Sequence, residues 1–307
     1  MDDNLMNALL TPDMLPSDKN IEFRQSSFFS RYSALPSPAH VRAAAGRAHR
    51  HQRDPTSFPD MGLLVKWGCS NSIAEGQCLW ALRYIFPGMV PVPEVYGWHT
   101  DMGPEGYEEV FIYMELIRGV TLEDRWPTLS IEDKLAISIQ LRDILARMRR
   151  IRQDPNDSYL GHVGRQPLLD VIFTKTSIAG GPFRSIREFN DFLARMYLMK
   201  RDNFDPNAPI SDADYRAQLP DDGPITFTHA DLHPRNIMLS AEDDGPTRIL
   251  ALIDWHQSGW FPPYWEWCKL AWGVTYEGEW YNEYLPLILT PEDAYVPWCY
   301  FTLSMGM

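Results

Sequence analysis

The 307 residues predict an α+β protein of two lobes, β-rich as far as about Arg118 and mostly helical beyond it. Length and composition are the first sign: a chain this long, 45% hydrophobic and carrying 11 Trp, 14 Tyr and 14 Phe, suits two lobes better than one core. The second is that short apolar runs bounded by Gly, Pro and Asp fall before residue 118. The third is that the two longest amphipathic stretches, Ser130–Arg150 and Ser185–Lys200, fall after it. The expected division is an N-terminal extension with a helix over residues 1–60, a β-rich lobe over 61–118 and a helical lobe over 119–307.

Composition also excludes. The formal charge of −13 argues against nucleic acid or an anionic membrane as the main partner. It is compatible with a cationic small-molecule partner, but an acidic surface more often only keeps a chain soluble. Cys69, Cys78, Cys268 and Cys299 form neither a paired metal pattern nor a dense disulfide framework, so reduced thiols are expected. Met1–Leu10 has no basic segment leading into an apolar core, and no run approaches the ~20 apolar residues that span a bilayer. The expectation is a cytoplasmic chain; oligomeric state is not legible.

In order, Pro38–His49 reads as a helix with proline in its first turn and alanines after it. Gly62–Trp67 is a buried strand carrying one lysine, Lys66, whose ammonium needs a partner unless the strand is an edge and the side chain meets water. Ser72–Phe86 follows as an amphipathic helix with Ile73, Leu79, Leu82 and Ile85 on one face. Its Glu75 has two readings, an ion pair with Lys66 or the glutamate of an S-x-x-E capping box with Ser72. Val90–Trp98 and Val110–Met114 read as two further strands. Ser130 caps the long helix, with Leu135, Ile139, Leu145 and Met148 on its apolar face, and Ser185 and Glu188 form a second S-x-x-E box. Asn203–Asp222 is a connector rich in Asp, Pro and Asn.

The chemistry concentrates in Thr228–Trp255, which reads T-H-A-D-L-H-P-R-N-I-M-L-S, an acidic turn, then R-I-L-A-L-I-D-W. Asn236 opens a short strand, Arg248–Ile253 forms a second, and Ser240–Pro246 with Asp244-Gly245 supplies the turn. Pairing those strands brings Asn236 and Asp254 to the same end of a ribbon. Asp231 can then orient a hydroxyl and take its proton, while Asn236 and Asp254 offer hard oxygens to Mg²⁺, a pattern that suits phosphoryl transfer. A zinc site of His229, Asp231 and His233 is the rival, with neither a nearby cysteine nor H-E-x-x-H spacing to support it. His229 is expected to be structural.

H-A-D-L-H-P-R-N resembles the catalytic loop of protein kinases and is closer to the H-G-D-x-x-x-x-N form of the aminoglycoside phosphotransferase and choline kinase superfamily, with I-D-W standing where protein kinases carry D-F-G. V-P-V-P-E-V-Y-G-W, F-T-H-A-D-L-H and I-D-W-H-Q-S-G-W look like fungal members of that phosphotransferase family. The resemblance spans Leu63 to about Ala271 and implies a bilobal kinase-like fold and a small-molecule kinase using ATP and Mg²⁺. It implies Asp231 as catalytic base, Asn236 and Asp254 as metal ligands, and Lys66, held by Glu75, as the phosphate clamp. In Met114–Gly119, backbone groups of residues like Glu115 and Ile117 would read an adenine. No G-x-G-x-x-G precedes Lys66, which leaves a catalytically inactive nucleotide- or ligand-binding pseudokinase as the alternative. The dozen residues between Asp254 and Glu266 are too few to dock a peptide, so the acceptor would be a small hydroxyl compound. Trp260, Tyr264, Trp265 and Trp267 are expected as core beneath the loop, Glu266 as the acid opening the next helix, and Glu277, Glu279 and Glu283 as either a cationic-substrate wall or a solvated face.

Overall fold

The structure is a computed structural model that describes residues 8–45, 55–174, 179–199, 209–210, 215–242, 245–274 and 278–304. The strands in chain order are β1 (Ala8–Leu9), β2 (Ile21–Glu22), β3 (Thr56–Phe58), β4 (Leu63–Gly68), β5 (Val95–Met102), β6 (Glu108–Glu115), β7 (Val120–Thr121), β8 (Ile151–Arg152), β9 (Thr226–Thr228), β10 (Ile237–Leu239), β11 (Ile249–Leu252) and β12 (Gly259–Phe261). The helices are α1 (Pro38–Ala45), α2 (Ile73–Trp80), α3 (Leu122–Arg125), α4 (Ile131–Met148), α5 (Val171–Thr174), α6 (Ile186–Met199), α7 (Trp265–Trp272), α8 (Leu285–Ile288) and α9 (Tyr295–Ser304).

The first lobe is an antiparallel sheet of order β2-β5-β6-β4-β3. Side chains alternate across β4, so Leu63, Val65 and Trp67 share one face and Leu64 and Lys66 the other. The first face is buried with Phe28, Leu35, Val41, Tyr96, Phe111 and Tyr113 in its own core. Residues 28–41 thus cover one side of the sheet, and α2 packs on β5 and β6 from the other. Lys66 pairs in register with Ile112 of the neighbouring strand, and β4 lies inside the sheet between β6 and β3, which excludes the edge-lysine reading.

The second lobe is mostly helical, with α4, α6, α7 and α9 around the small ladders β7-β10-β11 and β9-β12. Trp260, Tyr264 and Trp265 are fully buried and Trp267 nearly so, as core under the loop. Trp265 stacks on Phe261 and Phe173 and meets Phe189 and Trp298 edge-on.

Several expectations shift. The strand expected over Val90–Trp98 starts only at Val95, because Pro91 and Pro93 withhold donors a ladder needs. The helix expected over Ser72–Phe86 is α-helical to Trp80 and continues as a π turn over Ala81–Ile85. On α4 the apolar stripe is rotated: Leu135 and Ile139 are exposed, and Ile137, Leu141, Ile144, Leu145 and Met148 face the core. Of the helix expected over Pro38–His49, residues 46–49 lie outside the described residues. So do Lys200, half of the 203–222 connector, Asp244 of the turn and Glu277.

Candidate functional site

The ribbon β10-β11 pairs Ile237 with Leu252 and Met238 with Ala251, and Ile253 N–H adds a bond to the Asn236 carbonyl at 2.9 Å. Asn236 and Asp254 therefore leave the same end. Asn236 sits at the end of a short 3₁₀ turn, Pro234–Asn236, opened by His233, whose Nδ1 accepts the Arg235 N–H at 3.2 Å. Asp254 and Ala230 both hold positive φ, 64° each, a conformation that costs L-residues energy and needs outside support.

Glu266 and His229 supply much of that support. The Glu266 carboxylate, on the first turn of α7, accepts the His229 and Ala230 N–H groups at 2.7 and 3.2 Å. Burial pushes this carboxyl up to about 7, against the pull of those two bonds. His229 Nδ1 accepts the Asp231 N–H at 3.2 Å, so Nε2 carries the proton and donates to the Ile253 carbonyl at 3.0 Å. One fully buried ring thus ties the segment before Asp231 to the strand before Asp254. Burial lowers the imidazole to about 4 and keeps it neutral. With both nitrogens spent inside the loop, His229 is no metal ligand, and among the described residues no cluster of His, Cys, Asp and Glu could hold a metal ion by itself.

The expected residues gather in two groups. Lys66 Nζ lies 2.6 Å from Glu75 Oε1 and 2.6 Å from Asp254 Oδ1, bridging the lobes. Lys66 is strongly desolvated, yet the two carboxylates outweigh that penalty and raise its pKa. Exposure rises across the set, from 1% for the Glu75 side chain through 16% for Lys66 to 41% for Asp254, as at the floor and mouth of a cleft. Glu75 Oε1 also accepts the Trp255 N–H at 3.2 Å, so the Glu75 side chain does not close a capping box; Ser72 caps α2 alone, accepting the Ala74 N–H. In the second group, Asn236 Nδ2 donates to the Asp231 carbonyl and to Asp231 Oδ2 at 2.7 and 3.1 Å. That orientation leaves the Asn236 amide oxygen as its remaining ligand atom.

The two groups feel one another. Asp231 is raised to about 6, first by burial, with Asp254 and Asp170 adding to the rise and Lys269 and Arg235 opposing it. Asp254 is lowered because Lys66 overcomes its desolvation. Hard oxygens from one carboxylate and one amide suit Mg²⁺, which keeps waters and takes only one or two carboxylates beside phosphate oxygens.

Glu115 and Ile117 lie apart from both groups, on the linker lining a cavity of about 420 Å³ with Arg83, Val92 and Leu250. Glu115 N–H is taken by the Glu94 carbonyl at 2.8 Å and Leu116 N–H by the Gly62 carbonyl at 2.9 Å, so the linker leaves the sheet at Ile117.

The sequence reading missed Lys269 and Asp170. Lys269, on α7, bonds the fully buried Asp170 at 3.1 Å and Gln257 at 3.0 Å, and its charge bears on Asp231. A lysine within W-E-W-C-K-L-A-W was the available signal. Of the three acids considered for a cationic-substrate wall, Glu283 is exposed and Glu279 lines a cavity of about 450 Å³ with Glu123, Trp126, Trp280, His233 and Pro234. The last two follow Asp231 by two and three residues, which sets this cavity beside the loop.

The model of the phosphotransferase enzyme family matches residues 81–287, about two thirds of the chain. Among solved structures, a streptomycin–ATP ternary complex of APH(2")-IIa is 15% identical, with 78% of this chain and 74% of that chain covered and a TM-score of 0.43. A Plasmodium vivax ethanolamine kinase is 14% identical, with 81% and 66% covered and a TM-score of 0.38. No curated protein matches. The family match spans the loop, the ribbon and α7, and by it this chain belongs to the phosphotransferase enzyme family.

Proposed function

We propose that this chain is a small-molecule kinase that transfers the γ-phosphoryl group of ATP, with Mg²⁺, to a hydroxyl. The observation that carries the reading is the bridge from Lys66 to both Glu75 and Asp254, 2.6 Å each, beside Asp231 and Asn236 on one loop. Family membership supports the reaction class. We place the boundary between the lobes at the linker near residue 118, with β2 and β3 of the 1–60 segment adding strands to the first lobe's sheet.

Asp231 accepts the acceptor hydroxyl's proton as the oxygen forms its bond to phosphorus and the bond to the ADP oxygen breaks. Its elevated pKa places it in the range where a carboxylate is ionised near neutrality yet still a useful base. Lys66, kept cationic by its two carboxylates, is free to exchange part of that pairing for phosphate oxygens. Asn236 and Asp254 would hold Mg²⁺, whose charge offsets that of the phosphates when bound. Glu115 and Ile117 would present backbone groups to the base. Glu75, His229 and Glu266 position these groups without touching substrate. Most of the rate then comes from placement and charge, as phosphoryl transfer requires.

The test is thermal unfolding of the full chain with ATP or GTP, each with and without Mg²⁺, beside the Asp254→Ala variant. A midpoint rise that needs both ATP and Mg²⁺ and shrinks in the variant is the expected result. No rise with millimolar nucleotide would overturn the kinase reading in favour of a ligand-binding pseudokinase.

A further inference from the structure

The cavity beside the catalytic loop contains a seat built for an ammonium ion. The Trp126 ring forms one wall and the Glu279 carboxylate another, with Trp280 edge-on to Trp126 at 4.8 Å and Tyr284 at 4.9 Å. An aromatic face beside a carboxylate is the general chemistry of cation recognition. Here the chain fills the seat itself. Lys134 Nζ, from α4, bonds both Glu279 oxygens at 2.9 and 2.8 Å and sits 4.8 Å from the centre of the Trp126 ring. Trp126 Nε1 donates to Glu279 Oε2 at 2.9 Å, so that carboxylate already accepts three bonds. Lys134 is 9% exposed.

The other groups facing the cavity differ. Glu123, with a side chain 54% exposed, stands 3.7 Å from His233 Nδ1, but that nitrogen already accepts the Arg235 N–H and carries no proton. No ion pair forms there, and Glu123 remains an acceptor open to hydroxyl groups.

Taking the cavity as the acceptor side of the proposed kinase, we propose that Lys134 is a specificity-determining residue, an internal ammonium that occupies the cation seat and so restricts the cavity to uncharged, hydroxyl-bearing acceptors. An incoming cation would have to compete with the Lys134 ammonium for Glu279, a cavity residue whose two oxygens Lys134 already holds. A neutral acceptor meets no such conflict, because its hydroxyls find Glu123 and its carbon skeleton finds the tryptophans. Discrimination by a repulsive element is a common route to specificity, since attraction alone also admits close relatives of the intended ligand.

The experiment compares choline with its uncharged carbon isostere, 3,3-dimethylbutan-1-ol, by calorimetric titration of the full chain without nucleotide. The wild type is expected to show no preference for choline, and Lys134→Met to gain at least about tenfold for choline over the isostere. Lys134→Arg, which keeps a cation in the seat, should behave as wild type. A wild type that prefers choline tenfold, or a Lys134→Met protein with no gain, overturns the inference. If Lys134→Met does not fold, Lys134→Gln takes its place and the wild-type ratio still decides. The titration needs no transfer and is repeated in Asp231→Asn. A changed choline ratio without any kinase activity would sink the kinase reading and keep the role of Lys134, whereas kinase activity with an unchanged ratio would sink the role of Lys134 alone.

Discussion

The ribbon that ends at Asp254 and the cavity wall around Glu279 lie side by side but are held in different ways. In the ribbon, buried groups bond to backbone: Glu266 to two N–H groups, His229 to an N–H and a carbonyl, Asn236 to the Asp231 carbonyl. At the cavity wall the key contacts run from side chain to side chain, and the Glu279 side chain is 42% exposed. Backbone-anchored geometry survives most changes around it, whereas a side-chain pair is rewritten by one substitution. In the proposed kinase, that difference would separate a part suited to unchanging chemistry from a part suited to choosing substrates.

The largest expected effect breaks the ribbon's chemistry and spares its geometry. Asp231→Asn should lower turnover by about 10²–10⁴-fold, the usual contribution of a general base, with nucleotide-dependent thermal shifts intact. The same variant should be more stable at neutral pH. The fold raises Asp231 from 3.8 to about 6, so it favours the protonated form, and that contribution is complete below about 4 and lost as pH rises through about 6. The midpoint gap between variant and wild type should therefore be near zero at pH 4 and open to a few degrees above pH 6. Equal midpoints at pH 7.5 would refute the burial account.

Lys66→Met should cost about 3–5 kcal/mol, because Glu75 is left as an unpaired buried carboxylate. Denaturant unfolding checks this, and adding Glu75→Gln should recover part of the loss. A cost below about 1 kcal/mol would mean that the bridge does not join the lobes as described. Smaller again is the pH profile of turnover, whose acid limb should fall near 6 as Asp231 takes up its proton. A limb near 4 would separate the rate from that carboxylate.

A further pair of variants tests which face of α4 is buried against the core. Leu141→Ala, fully buried, should cost about 2–5 kcal/mol, and Leu135→Ala, 41% exposed, about 0.5 kcal/mol or less. The reverse order would restore the stripe expected from periodicity. That expectation failed for a physical reason: α4 mixes apolar residues around much of its circumference, and only the packing partner decides which stripe is covered.

Other parts were legible for reasons equally local. Ser130 and Ser72 cap their helices through bonds that close within three residues. The ribbon follows from two apolar runs around a turn, which is why Asn236 and Asp254 emerge together. Lys66 announced a partner simply by being a charge in an apolar strand, and its identity, Glu75 together with Asp254, lay nine and 188 residues away. The two readings of Glu75 were equivalent in sequence because a capping glutamate and an ion-pairing one look alike until α2 is placed on the sheet.

What the amino-acid order determined alone is therefore whatever short-range bonding and alternation decide: the strands, the caps, the loop with its acid and amide, and the division into a β-rich and a helical part. Tertiary structure alone decided the rest. It set the protonation of Asp231 through burial and the distant charges of Asp254 and Lys269, and the neutrality of His229 through its two backbone bonds. It also placed Lys134 on Glu279, 145 residues away, in the wall of a cavity that Glu279 lines. Coulomb forces and desolvation act through space, and no sequence spacing records which groups the fold will bring within a few ångströms.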